Sequence, residues 1–228
     1  MKYVYFLFIV AAATACASPP SDEATSDRAA AARAGGERCD TCRLGGHHED
    51  DPNERVTIAA APGALVLGDE RAQHEIVVFT DLDCPYCRRL HGTLADVAGG
   101  RDGVRVVVRH APLPMHGEEG KDAARAAIAA TRLGKGAAFV DAYTRGKDGP
   151  DRLEIAARAS GLAWEEVARL MRTREVEDAL ARDQAEARRL GVRGTPTFFV
   201  DGRRTTGARP REDILALVSS LPSAGSRR

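Results

Sequence analysis

Cys84-Pro85-Tyr86-Cys87 directly follows an apolar, β-branched run, His74-Glu75-Ile76-Val77-Val78-Phe79-Thr80, and precedes a stretch with helical character reaching about Ala98. The run reads as a buried strand, so the two cysteines fall at a strand-to-helix junction. Pro85 suits the first helical position, where its missing N–H would have no partner anyway. Cys84 is then placed at the helix N-terminus, where free N–H groups and the helix dipole favour a thiolate. Cys87 lies one turn deeper. It is close enough to bridge Cys84 and shielded from large substrates. Thiols in such motifs ionise more readily than free cysteine, so Cys84 is expected to attack and Cys87 to resolve. A static disulfide is a poor alternative, because so short a loop removes little entropy from the unfolded chain. Half of a zinc site is another, but no second C-x-x-C follows in the folded part, and His91 lies a full turn beyond Cys87, pointing away from Cys84.

The other cysteines are Cys16, Cys39 and Cys42, which makes five in all, an odd count. Met1-Lys2 opens a short basic start, and Tyr3 to Ala13 is an unbroken apolar run of eleven residues. A membrane span needs about 20, so the run reads as a signal-peptide core. Ala13-Thr14-Ala15-Cys16 resembles the bacterial lipobox, with Ala13 where Leu is usual; this implies lipidation of Cys16. Ordinary cleavage near Ala-Cys-Ala is the alternative. Either reading sends the protein out of the cytoplasm, where disulfides persist. The resulting division is a signal peptide at 1–15, a flexible tether at 16–53, a folded domain at 54–221 and a disordered tail at 222–228. The tether is rich in Ser, Pro, Ala, Gly and charge, with Leu44 its one large apolar residue. It cannot bury enough surface to offset its ordering entropy. Its reach is roughly 30 Å.

Of the 228 residues 43% are hydrophobic and the formal net charge is zero. That supports one good core and removes the electrostatic case for nucleic acid. Val104 to Arg109 reads as a second strand. Thr197 to Val200 and Arg203 to Thr206 read as a hairpin turning on Asp201-Gly202. Leu65-Val66-Leu67 reads as an edge strand, and Arg211 to Ser219 as a closing helix started near Pro210. Apolar positions of helical period fill about 118–190, with breaks at Gly134, Gly149-Pro150 and Gly161. The order strand, helix, strand, helical block, hairpin, helix is an α/β layered domain with a helical insertion between the second and third core strands.

The segment Val78-Phe79-Thr80-Asp81-Leu82-Asp83-Cys84-Pro85-Tyr86-Cys87 closely resembles the bacterial periplasmic Dsb proteins of the thioredoxin superfamily. A second family element is Gly194-Thr195-Pro196-Thr197-Phe198, roughly 110 residues further on. The resemblance covers about Val56 to Val218 and implies a thioredoxin fold. It also implies that Pro196 is cis and faces the C-x-x-C, that Thr195 offers backbone hydrogen bonds to a bound peptide, and that Pro85 and Tyr86 border the substrate. The helical block looks like the DsbA arrangement. Thr195 before the proline, and Phe79-Thr80-Asp81, look like the isomerase and reductase branch, DsbC and DsbG. Those carry an N-terminal dimerisation domain where this chain has a tether, so a monomer is expected.

Asp81 and Asp83 flank the motif. They are expected to be solvated loop carboxylates, or in the case of Asp83 a helix cap. His110 and His116 are expected in loops. Cys39-Asp40-Thr41-Cys42 is followed by His47-His48. It reads as a mobile redox partner of Cys84–Cys87, as a metal site, or as a passive disulfide. The expected function is that of an exported thiol–disulfide oxidoreductase forming, reducing or isomerising disulfides in proteins. It needs no cofactor beyond the Cys84–Cys87 disulfide and no bound metal, and it works with a membrane or soluble redox partner. Membrane contact is expected only through the lipid anchor. The alternative is a copper- or zinc-handling protein using both C-x-x-C pairs.

Overall fold

The computed structural model describes residues 54–100 and 103–221. The expected signal peptide and tether, with Cys16 and the Cys39–Cys42 pair, and the expected tail 222–228 lie outside the described residues. In chain order the first elements are β1 (Leu65–Leu67), β2 (His74–Thr80), α1 (Pro85–Gly99) and β3 (Val104–His110). A 3-10 turn (Pro114–His116) then leads into the helical block: α2 (Gly117–Arg132), α3 (Gly136–Arg145), α4 (Arg152–Ala159), α5 (Trp164–Met171) and α6 (Arg174–Arg189). The chain closes with β4 (Thr197–Val200), β5 (Arg203–Thr206) and α7 (Arg211–Ser219).

The strands form one mixed sheet ordered β1-β3-β2-β4-β5. β2 runs parallel to β3 and antiparallel to β4, so the strand feeding the C-x-x-C is central. Its continuous apolar run follows from burial on both faces. Ile76 and Val78 join the larger core with Leu90, Leu94 and Ile214, while Val77 and Phe79 pack with Phe199, Ala187 and Leu190 on the other side.

The helical block runs from Gly117 to Arg189, close to the expected 118–190. Gly134 and Gly161, both in the left-handed region (φ 73° and 80°), end helices as expected. One further break, between α5 and α6, carries no glycine or proline. There Thr173 sits at the N-cap and its hydroxyl donates to the Leu170 carbonyl (2.8 Å). The apolar period continues across it, which is why the sequence hides it.

The β4–β5 hairpin turns on Asp201 (φ 47°) and Gly202 (φ 85°), the pair of positive φ values a type I′ turn requires. The Gly202 carbonyl accepts the Val56 N–H (3.0 Å), and a Cβ at 202 would lie 2.6 Å from the Val56 carbonyl oxygen. Gly202→Ala should therefore cost roughly 1–3 kcal/mol in urea unfolding. An unchanged midpoint would mean that the Val56 segment does not dock on the hairpin.

Candidate active site

Cys84 is the N-cap of α1, with Pro85 at the first helical position. Its N–H donates to the Asp81 carbonyl (3.1 Å), and its own carbonyl accepts the Arg88 N–H (3.0 Å), which starts the helix. The turn thus places one sulfur at the helix N-terminus and the other inside the first turn. The two cysteines are free and differ in surroundings. The Cys84 thiol donates to the Thr195 carbonyl (3.4 Å) across a Thr195–Pro196 peptide that is cis. The Thr197 hydroxyl donating to Gly194 O (2.8 Å) and the Gly207 N–H donating to Pro196 O (2.9 Å) hold that loop against the sheet. Cys87 is only 1% exposed. Burial pushes its thiol up to about 12, with the neighbouring Cys84 adding to the rise. The Thr80 hydroxyl, the Asp81 N–H and the Thr195 hydroxyl oppose it. The Asp81 N–H lies 3.5 Å from the Cys87 sulfur. The Thr195 hydroxyl influences the thiol without meeting hydrogen-bond geometry, and among the described residues it has no other partner.

The family profile described as Thioredoxin matches residues 60–220. The chain belongs to the thioredoxin family. Among solved structures, this family member is similar to a thioredoxin-like oxidoreductase from Silicibacter pomeroyi DSS-3: 34% identity, TM-score 0.65, covering 70% of this chain and 92% of that one. It is also similar to a periplasmic thioredoxin-like protein from Salmonella enterica serovar Typhimurium: 25% identity, TM-score 0.61, covering 70% and 90%. Among curated proteins it is 32% identical, over 158 residues, to the Na+/H+ antiporter NhaA of Herminiimonas arsenicoxydans, covering 68% of this chain and 25% of the antiporter. The chain spans about a quarter of the length of the curated relatives it matches. The fold is the thioredoxin fold, as the resemblance implied, with the helical insertion that the order of elements implied.

Of the residues expected at this thioredoxin-family site, Cys84, Cys87, Thr195 and Pro196 come together, and Pro85 and Tyr86 lie exposed beside them. Tyr86 is 57% exposed, with the Arg89 guanidinium 4.6 Å from its ring centroid. The flanking carboxylates correct the expectation of solvated loop groups. Asp81 is buried, and its carboxylate accepts from the Leu113 N–H (2.7 Å), His116 Nδ1 (2.7 Å) and the Asp83 N–H (3.0 Å). Asp83 makes no helix cap. Its carboxylate accepts from the Tyr143 hydroxyl (2.7 Å) and Arg152 (3.0 Å), groups 60 and 69 residues away. Arg88 adds to this clamp on the insertion, donating to the carbonyls of Thr144 (2.9 Å) and Gly146 (2.6 Å) and pairing with Asp148 (2.9 Å). The cause of the missed placement is long-range: the chain after β3 covers Asp81, and α3 and α4 of the insertion fold back to hold Asp83.

The histidines are corrected too. His110 is the last residue of β3 and is buried; His116 ends the 3-10 turn and binds Asp81. His91, one turn below Cys87 on α1, is buried with its Nε2 3.0 Å from the Thr80 hydroxyl. Among the described residues, no group of three or more His, Cys, Asp or Glu is arranged to hold a metal ion.

Burial, then the neighbouring His110, push His91 down from 6.5 to about 4. The unfolded chain therefore takes up a proton at 6.5 that the folded chain refuses until about 4. The stability this contributes is full above pH 6.5 and is lost as pH falls from 6.5 to about 4. The expected loss is roughly 3 kcal/mol, since one pKa unit corresponds to about 1.4 kcal/mol. Urea unfolding at several pH values should show a shallower slope in this window for His91→Gln than for the wild type. Parallel slopes would assign the acid sensitivity elsewhere.

Proposed function

We propose that the chain is an exported thiol–disulfide oxidoreductase that exchanges disulfides with protein substrates through Cys84 and Cys87. The observation that carries this reading is the placement of the Cys84 sulfur at the α1 N-terminus against the Thr195 carbonyl, with Cys87 buried beneath it. Cys84 attacks a substrate disulfide, forms a mixed disulfide and releases one substrate sulfur as thiolate. Cys87 then attacks the Cys84 sulfur, closing the Cys84–Cys87 disulfide and releasing the second substrate sulfur. Run backwards, the same steps oxidise a substrate dithiol. A thiol held up to about 12 keeps its proton at neutral pH, which suits Cys87 to the second step rather than the first.

A substrate chain reaching Cys84 passes beside the Gly194–Pro196 backbone. That position supports protein substrates, held by main-chain hydrogen bonds and by contact with the exposed Tyr86. Export rests on the apolar run Tyr3 to Ala13, and Cys16 is the proposed lipid attachment point, with the folded domain acting as a monomer facing the periplasm. Likeness to a periplasmic thioredoxin-like protein supports the compartment.

The test is turnover of a model substrate: reduction of insulin with a thiol donor, or oxidation of a reduced dithiol peptide. Absence of both activities would overturn the reading. Equilibration with glutathione then sets the direction of electron flow. A potential near about −120 mV marks an oxidase and one near about −270 mV a reductase.

A further inference from the structure

Beneath the C-x-x-C lies a buried polar chain that the exchange reaction does not by itself require. Thr80 ends β2 and is 1% exposed; His91 sits one turn below Cys87 on α1 and is 6% exposed. Their side chains meet at 3.0 Å, Oγ1 to Nε2. The Asp81 N–H, next along the chain from Thr80, lies 3.5 Å from the Cys87 sulfur; the Thr80 hydroxyl favours the Cys87 thiolate without meeting hydrogen-bond geometry to the thiol. The His91 ring and the Thr80 hydroxyl are therefore joined beside the residue whose N–H approaches the Cys87 sulfur.

A hydroxyl carries one proton to donate. If it donates to His91, nothing is left for the sulfur; if it accepts from His91, its own O–H is free to point at Cys87. The order of donation therefore depends on which ring nitrogen of His91 carries hydrogen. We propose that His91 acts as a positioning residue, holding its proton on Nε2 and donating it to Thr80 so that the Thr80 hydroxyl donates to the Cys87 thiolate during resolution of the mixed disulfide.

The environment keeps the imidazole neutral, as this arrangement needs. Burial is its main constraint, and the nearest titratable neighbour is His110 on β3, itself buried and facing Asp183 of α6 and Asp81. The Cys87 S–H proton is passed to the departing substrate sulfur, and the Cys87 sulfur forms a bond to Cys84. The bond between Cys84 and the substrate sulfur breaks, with its electron pair leaving on the substrate. The enzyme dithiol is oxidised and the substrate disulfide reduced. Negative charge builds on Cys87 before the new bond is complete, in a site where burial opposes it. A fixed donor is worth most there.

The proposal rests on the assignment of Cys84 and Cys87 made under the proposed function, and the test separates the two. Full-length protein is mixed with a disulfide peptide, quenched in acid at intervals, and the mixed disulfide and released peptide are quantified by mass. Thr80→Val, which keeps the shape and removes the hydroxyl, should leave mixed-disulfide formation unchanged and slow its resolution roughly tenfold or more, as expected for losing a hydrogen bond to a charged group. Thr80→Ser should recover most of the rate. His91→Leu should slow resolution like Thr80→Val, and the double variant should lose no more than either single one. His91→Gln, which can still donate, should retain more. Nitrogen-15 NMR of the wild type should place the His91 proton on Nε2.

Wild-type resolution in Thr80→Val, equal slowing of both steps, or a proton on Nδ1 alone would overturn the proposal. If His91→Leu does not fold, the Thr80 pair and the tautomer still decide. If wild-type protein forms no mixed disulfide at all, it is the oxidoreductase reading that fails.

Discussion

Cys84→Ser will lower substrate turnover by roughly a thousandfold or more, because the thiolate that opens the reaction is then absent. Cys87→Ser will behave differently. Its first step survives, so the enzyme should accumulate as a mixed disulfide visible as a mass increase equal to one substrate chain. The asymmetry follows from position. Cys84 caps the helix and touches the Thr195 carbonyl, where an incoming chain would lie. Cys87 is 1% exposed and held as a thiol. A large substrate cannot reach it directly, so it should not replace Cys84 as the attacking sulfur. The measurement is paired: insulin reduction for both variants, and mass analysis of acid-quenched reactions. Turnover at the wild-type rate by Cys84→Ser would sink the assignment. Trapping by Cys84→Ser instead of Cys87→Ser would reverse the roles.

Most of the frame was legible in the sequence because its signals are local. β2 announces itself by Ile76 to Phe79, four consecutive apolar residues that need burial on both faces, and the hairpin by Asp201-Gly202, which few other conformations tolerate. The proline element was legible as a motif, since Thr195-Pro196 stands directly before an apolar strand. What was not legible depends on contacts across the insertion. Asp83 looks like a loop acid until Tyr143 and Arg152 arrive from α3 and α4. Asp81 looks solvated until the chain after β3 folds over it and presents the Leu113 N–H and His116. His110 reads as a loop residue because the strand signal fades at Arg109, yet it pairs in register with Thr80. His91 could have been found: it stands four residues after Cys87 on the same helix face, which places it beneath the sulfur. A polar residue buried there requires a partner, which is Thr80.

The largest stability effect is expected away from the cysteines, at Asp183. Its carboxylate takes the Arg109 Nε–H at 2.6 Å and the His110 backbone N–H at 2.9 Å, and the two side chains of the ion pair are 3% (Arg109) and 10% (Asp183) exposed. Arg109 also donates to the Ala59 carbonyl (2.9 Å), so the pair ties the segment before β1 to β3 and α6. Asp183→Ala would leave the Arg109 Nε–H and the His110 backbone N–H without their acceptor and the buried guanidinium without its paired charge. Breaking such a pair from one side costs about 3–5 kcal/mol. For a domain of this size that lowers Tm by roughly 6–20 °C. Replacing both partners, Arg109→Met with Asp183→Leu, should recover much of the loss, because no charge is then left stranded. A loss below about 1 kcal/mol in Asp183→Ala would mean that water reaches the pair. No atom of the pair touches Cys84 or Cys87, so the folded Asp183→Ala protein at low temperature should exchange disulfides at the wild-type rate. Cys84→Ser should show the reverse, with stability kept and turnover lost. The Asp183→Ala and Cys84→Ser variants thus read stability and the first chemical step separately.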